Sequence, residues 1–330
     1  MSSDSTVEFV CVDRVPEVGN TFGPEDVSKV IAEKLCERDV KRLRPKWNLG
    51  PEKVTDNLQI MGRPTVSDKD MELKLTFYFR QTWQDRRLAL SENHLPPEVP
   101  LQLQYDIAEQ IWIPNSHIIN EDRGFMHTTT VPNGFFRLFP NGTMYMSMGL
   151  TVISSCPMEL ASFPMDIQIC RIVIGSYGYT EDALIYEWDQ KVSPVQFGLD
   201  ARESSNQFKL VAFKVKTATQ QLITGNYSIV VAEFLIYRFI SRYIINFYLP
   251  SALVVVMALN AFWFPRGSGE QTGLVSGCVI AIATLLLTTH SASVVVSYAT
   301  WLDLYGLACF VIVLFILLAG QPKCDKCEML

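Results

Sequence analysis

A chain of 330 residues is long for one compact core, and its formal net charge of -6 argues against a nucleic-acid surface. The charge is also unevenly placed: nearly all of it precedes residue 236, and long apolar runs dominate after Arg242. Two domains are the simplest division, the second within a membrane.

Met1 to Ser5 lack the basic start and apolar core of a secretory signal, so a mature or re-started chain is expected. Val27, Val30, Ile31 and Leu35 recur at helical spacing behind Pro24, which predicts a short amphipathic helix. From Val54 to about Leu235 the pattern changes to short runs rich in β-branched and aromatic residues, punctuated by Pro, Gly, Asn and Asp. The clearest are 72–79, 135–139, 144–153, 167–174, 208–216 and 228–236, spaced as in an antiparallel β-sandwich. Leu73-Lys74-Leu75-Thr76-Phe77 alternates as a half-buried strand requires, and Trp83 and Trp112 are expected in the core. Within this region Cys156 and Cys170 flank thirteen residues, a spacing compatible with a short covalent hairpin, with Phe163-Pro164-Met165-Asp166 as an apolar-tipped turn.

The membrane part begins near Tyr243. The 22 residues to Phe264 carry no charge and would form a helix about 33 Å long, kinked at Pro250. A second span, 272 to about 297, mixes small and polar residues with Ile and Leu. One stripe of it reads Glu270, Gly273, Gly277, Ile280, Thr284, Leu287 and Ser291, either a helix-packing face or a pore lining. A third span runs from Leu304 to about Gly320, and Arg266, Lys323 and Lys326 fall on one side, as the positive-inside rule asks of an outside amino terminus.

No catalytic constellation accompanies these elements. The four histidines, at 94, 117, 127 and 290, belong to no metalloprotease or serine-triad motif, and no phosphate loop is present, so neither an enzyme nor a cofactor is expected. Cys324-x-x-Cys327 offers two ligands, too few for a structural metal site. Cys11 and Cys36 are open to bridging but expected free; Cys278 and Cys309 read as small hydrophobes.

The Cys-x13-Cys loop with Phe-Pro-Met-Asp inside it, followed by Gly175-Ser176-Tyr177-Gly178-Tyr179-Thr180, resembles the Cys-loop pentameric ligand-gated ion channels. Arg80-Gln81-Thr82-Trp83-Gln84-Asp85, Trp112-Ile113-Pro114, Asn141-Gly142-Thr143, Tyr248-Leu249-Pro250 and Tyr298-Ala299-Thr300 follow the family order, and the soluble half looks closest to the gamma-aminobutyric acid (GABA) and glycine receptor branch. The resemblance implies an all-β, immunoglobulin-like extracellular domain (1–238) with a short leading helix, then an α-helical transmembrane domain (239–322; spans about 240–264, 271–297 and 299–320) and a cytoplasmic tail or loop start (323–330). It also implies a plasma-membrane pentamer of this chain and four further subunits in contact with lipid, a bridge between Cys156 and Cys170, and a small-molecule ligand at the subunit interface. Such channels have four spans; three are expected here.

By motif, one face of the ligand site would carry His117, Tyr177, Leu222 and Tyr227, and the opposing face Tyr78, Arg80, Arg137 and Ser147. His117 and Leu222 stand where aromatics are common, and Gly175 where some GABA-binding subunits place a glutamate. The expectation is therefore that GABA, glycine and acetylcholine bind poorly and that Arg80 and Arg137 favour an acidic ligand. Asn141 and Asn226 begin glycosylation sequons. Phe163, Pro164, Asp166 and Arg238 would couple the two domains. The pore stripe would start at Ser268-Gly269-Glu270, the cationic form of the filter, so a cation channel is expected. The alternatives are an anion channel of GABA or glycine receptor type and a ligand-binding, non-conducting subunit. Ile280 and Leu287 are the candidate gate.

Overall fold

The computed structural model describes residues 39–90, 100–199, 201, 207–265, 268–292 and 296–320. The expected helix at 27–35, Cys11, Cys36, His94, Arg266, the tail from 321 and the side chains of His290 and Ser291 lie outside them.

The β-rich half is a sandwich of two sheets. One has nine strands and is ordered β10-β1-β3-β8-β7-β4, where β1 is Glu52–Ile60, β3 Glu72–Gln84, β4 Leu101–Gln104, β7 Gly134–Leu138, β8 Thr143–Ser155 and β10 Leu184–Trp188. Three short strands attach to it: β2 (Thr65–Ser67) to β3, β6 (Glu121–Met126) to β8 and β11 (Val195–Phe197) to β1. The other sheet is β12-β13-β9-β5, with β5 Ser116–Ile118, β9 Ile167–Ser176, β12 Phe208–Leu222 and β13 Gly225–Arg238.

Period-two alternation explains the packing. In β3, Leu73, Leu75, Phe77, Phe79 and Trp83 turn into the core while Thr76, Tyr78, Arg80 and Thr82 stand on the other face, half-buried. Burying each large apolar side chain contributes about 1.5–3 kcal/mol, so one strand supplies a substantial share of the core. Trp83 and Trp112 meet edge to face there, 6.2 Å between centroids. Pairing is antiparallel except that β1 runs parallel to β10 and β11. The Asn141-Gly142 turn needs its glycine: φ is +81°, and a Cβ would lie 2.4 Å from the Asp85 carbonyl oxygen.

Three helices are long and apolar enough to span a membrane: Ser241–Trp263, Gly269–Thr289 and Trp301–Ala319. The first contains a π-helical segment, Ile244–Tyr248, ahead of Pro250. The Ser251 hydroxyl donates to the Phe247 carbonyl at 2.6 Å, and Tyr305 of the third span donates to the Tyr248 carbonyl at 3.4 Å, which ties the third span to the turn before the proline. The third span opens with a capping box between Thr300 and Asp303.

Candidate functional site

The β1-β3-β8-β7 pairing assembles one side of the candidate ligand site. Arg80 lies opposite Ser147, Ser147 opposite Phe135, Tyr145 opposite Arg137, and Tyr78 one rung away opposite Gly149. Tyr78, Arg80, Arg137 and Ser147 are therefore neighbours on one sheet. Arg80 donates to Gln59 and, at 3.3 Å, to Gln196. The Arg137 guanidinium lies 5.0 Å from the Phe135 centroid and 5.8 Å from that of Tyr145. Neither arginine is neutralised by a carboxylate among the described residues, which leaves both charges available to an acidic group. A small hollow beside them is lined by Arg80, Thr82, Tyr145 and Asp189.

The other side comes from the second sheet. His117 sits opposite Gly175, its Nδ1 3.1 Å from the Gly175 carbonyl oxygen, and its ring meets Tyr177 edge-on at 5.6 Å. Tyr177 is 80 % exposed, so it presents nearly a whole aromatic face. Tyr227 does not join that pair: it is buried, and its hydroxyl is bound to the Thr224 hydroxyl at 2.9 Å inside its own hairpin. Leu222 is exposed at the hairpin tip. A Cβ on Gly175 would come within 2.9 Å of the Ile229 side chain, so a larger residue there needs Ile229 to move. Asn141 and Asn226 are both exposed, Asn141 with its side-chain oxygen accepting from the Thr143 amide.

Beneath the second set lies a polar cluster in the core. Gln81 donates to Asp56 at 2.8 Å and shares Ser116 with the Tyr186 hydroxyl, 2.8 Å from that serine. Asp56 is fully buried, and desolvation pushes its carboxyl up to about 8 despite the Gln81 hydrogen bond. The same burial, with Asp56 alongside, raises Tyr186. Asp56 shares the inward parity of Val54, Leu58 and Ile60, so a polar residue on the apolar face was the signal for this cluster.

At the membrane end, Cys156 and Cys170 are bridged, their Cα atoms 5.0 Å apart. The loop they close ends on a cis Phe163-Pro164 bond. Arg238 is buried and held bidentately by Asp166, Nε to Oδ1 at 2.7 Å and Nη2 to Oδ2 at 3.1 Å. Asp68 takes its remaining arm at 2.7 Å, and the rings of Phe163 and Phe208 flank it at 4.8 and 4.5 Å. Burial by itself would lower this guanidinium; the Asp166 and Asp68 carboxylates outweigh it and hold it above its usual value. Asp68 is 170 positions away in sequence, and no local pattern pointed to it.

The loop also grips the spans. The Trp301 and Leu302 amides donate to the Ala161 and Phe163 carbonyls, the Tyr298 hydroxyl accepts from the Leu160 amide at 2.8 Å, and the Phe163 ring meets Tyr243 at 5.0 Å. In the second span Gln271, Val275, Cys278 and Ile282 face the other helices, whereas Glu270, Gly273, Gly277, Ile280, Thr284 and Leu287 are all exposed. The stripe read from sequence is thus the face this helix does not spend on its own bundle.

A disulfide-closed β-sandwich joined to three helices long and apolar enough to span a membrane defines a membrane protein with a folded β-domain outside the bilayer. Residues 28–240 match the family described as the neurotransmitter-gated ion-channel ligand binding domain, and the chain belongs to it. It is a multi-pass plasma-membrane protein with its β-domain outside the cell, of a family of channels and not of enzymes. Over 311 residues, 93 % of the chain, it is 30 % identical to gamma-aminobutyric acid receptor subunit beta-4 of Gallus gallus, and it spans 61 % of that protein's length.

Proposed function

We propose that this chain is a subunit of a pentameric ligand-gated channel, with five copies placing the second span around a central pore. The observation that carries this reading is the exposed stripe from Glu270 to Leu287, polar or small at the first turns and apolar at Ile280 and Leu287. Five Glu270 carboxylates would ring one mouth and attract cations, and Ile280 and Leu287 would close the path by dewetting. Ligand would bind between Tyr177 and His117 of one subunit and the Arg80 and Arg137 face of the next. Those arginines favour an acidic ligand, and the two faces lack the complete aromatic box an amine would use. GABA, glycine and acetylcholine are expected to bind weakly; nanomolar to low-micromolar affinity in calorimetry with the full chain contradicts this.

An anion-conducting pore is the second reading, favoured by the similarity to a gamma-aminobutyric acid receptor subunit over nearly the whole chain. Ion substitution under voltage clamp decides. A reversal potential that follows sodium and potassium supports the Glu270 ring, and one that follows chloride establishes the anion pore. Ligand binding with no current at all would make the chain a non-conducting receptor subunit.

A further inference from the structure

The outer face of the β12-β13-β9 sheet changes character along its strands. In the rung nearest the membrane Ile167 pairs with Tyr237 and Tyr237 with Lys209; in the next, Ile169 pairs with Leu235 and Leu235 with Ala212, beside the Val211 bulge. Outward-facing Ile167, Ile169 and Val211 are 58, 52 and 57 % exposed, and Met165 of the disulfide loop and Tyr237 are exposed beside them. One rung higher the same face turns charged: Arg171 pairs with Glu233 at 3.1 Å and Lys216 with Glu233 at 2.8 Å. Lys216 is the largest cause of the lowered Glu233 carboxyl.

We propose that these two rungs, apolar except for the exposed Lys209, rest in the headgroup layer of the outer leaflet, where a lysine can meet lipid phosphates, making the extracellular sheet itself a lipid-contacting element. The patch is continuous with the bilayer-facing part of the chain: β13 ends at Arg238 and the first span starts at Ser241, while Phe163 of the disulfide loop packs on Tyr243. The scale matches as well. Rungs two residues apart are separated by about 7 Å along antiparallel strands. The interfacial layer on each side of a bilayer is about 5–8 Å thick, the difference between its full and hydrocarbon thickness. Two rungs fill that layer, and the Arg171-Glu233-Lys214 rung, with Lys216 reaching Glu233 from the rung above, then stands in water, where ion pairs belong. Tyr237 at the lower rung has the amphipathic ring that such interfaces favour. A protein partner is a poorer fit, because a stable interface takes about 20–30 residues a side and this patch exposes only five large apolar side chains, Met165, Ile167, Ile169, Val211 and Tyr237.

The test places the photo-crosslinker p-benzoylphenylalanine singly at Ile167, Ile169, Arg171 or Phe315 in the full chain, reconstituted in phosphatidylcholine vesicles and analysed by mass spectrometry. Phe315 lies exposed on the third span and reports insertion. The expected result is phosphatidylcholine adducts at 167 and 169 comparable to those at 315, with loss of the adduct at 171. Three outcomes overturn the proposal: protein–protein adducts at 167 or 169, which place the patch between copies; no adduct at either while 315 labels, which leaves it in water; or equal labelling at 171, which removes the boundary between the rungs.

Discussion

A buried carboxyl whose folded pKa lies above its unfolded one makes the protein less stable as pH rises. Asp56 moves from an ordinary 3.8 to about 8 on burial, so the folded state holds a proton that the unfolded chain releases between those values. Its contribution is neutral below about 4, and its cost grows until about pH 8. Asp56→Asn, which keeps the shape and an acceptor for Gln81, is expected to flatten that part of the stability profile and to raise the melting temperature most at alkaline pH; thermal unfolding of the purified full chain at pH 5 and pH 9 checks it. The opposite holds for Arg238, whose partners favour its charge. Breaking a buried ion pair typically costs about 3–5 kcal/mol. Because Asp68 stays in place, Asp166→Asn is expected at the lower end of that range, and Arg238→Gln, which strands two carboxylates, at the upper end. If coupling runs through this pair, Asp166→Asn also shifts the concentration–response curve to higher ligand while equilibrium binding stays near its original value.

Individual strands and helices were legible wherever one face is apolar and the other is not. The expected segment 72–79 lies inside β3, and the apolar runs become the three spans. Where pairing rather than composition sets the end, the sequence said less. β12 continues through Thr217, Ala218, Thr219, Gln220 and Gln221, a polar stretch with no burial signal, because β13 supplies its ladder partners out to Leu222 opposite Gly225. The parallel pairing of β1 with β10 was equally silent, since it joins segments far apart in the chain. At the proposed ligand site no motif encodes the state of each side chain: Tyr177 presents its ring, whereas Tyr227 is buried with its hydroxyl on that of Thr224. The disulfide element carries its own prediction. A crosslink closing a loop of about 15 residues contributes about 3 kcal/mol, mostly by restricting the unfolded chain. Paired Cys156→Ser and Cys170→Ser substitutions are expected to lower stability by that order, and reducing agent should leave the double variant's unfolding midpoint unchanged.

For the molecule as a whole, the proposed pore makes the charge at Glu270 the variable to test. If the Glu270 ring sets ion choice as proposed, Glu270→Gln is expected to reduce cation preference, read as a shift of reversal potential toward the chloride value in a sodium chloride gradient, with little effect on ligand affinity because the proposed site lies in the other domain. An unchanged reversal potential would place selectivity elsewhere.

The hydrogen bonds from Trp301 and Leu302 to the disulfide loop have a mechanical corollary. A helix begins with amides that have no partner within it, and here loop carbonyls fill two of those vacancies. Pulling the loop away would strand donors at the lipid boundary, so the receptor half and the third helix should travel as one rigid piece. If the chain gates a pore as proposed, slippage that opens it falls on the far side of that helix, where it packs against the first and second spans.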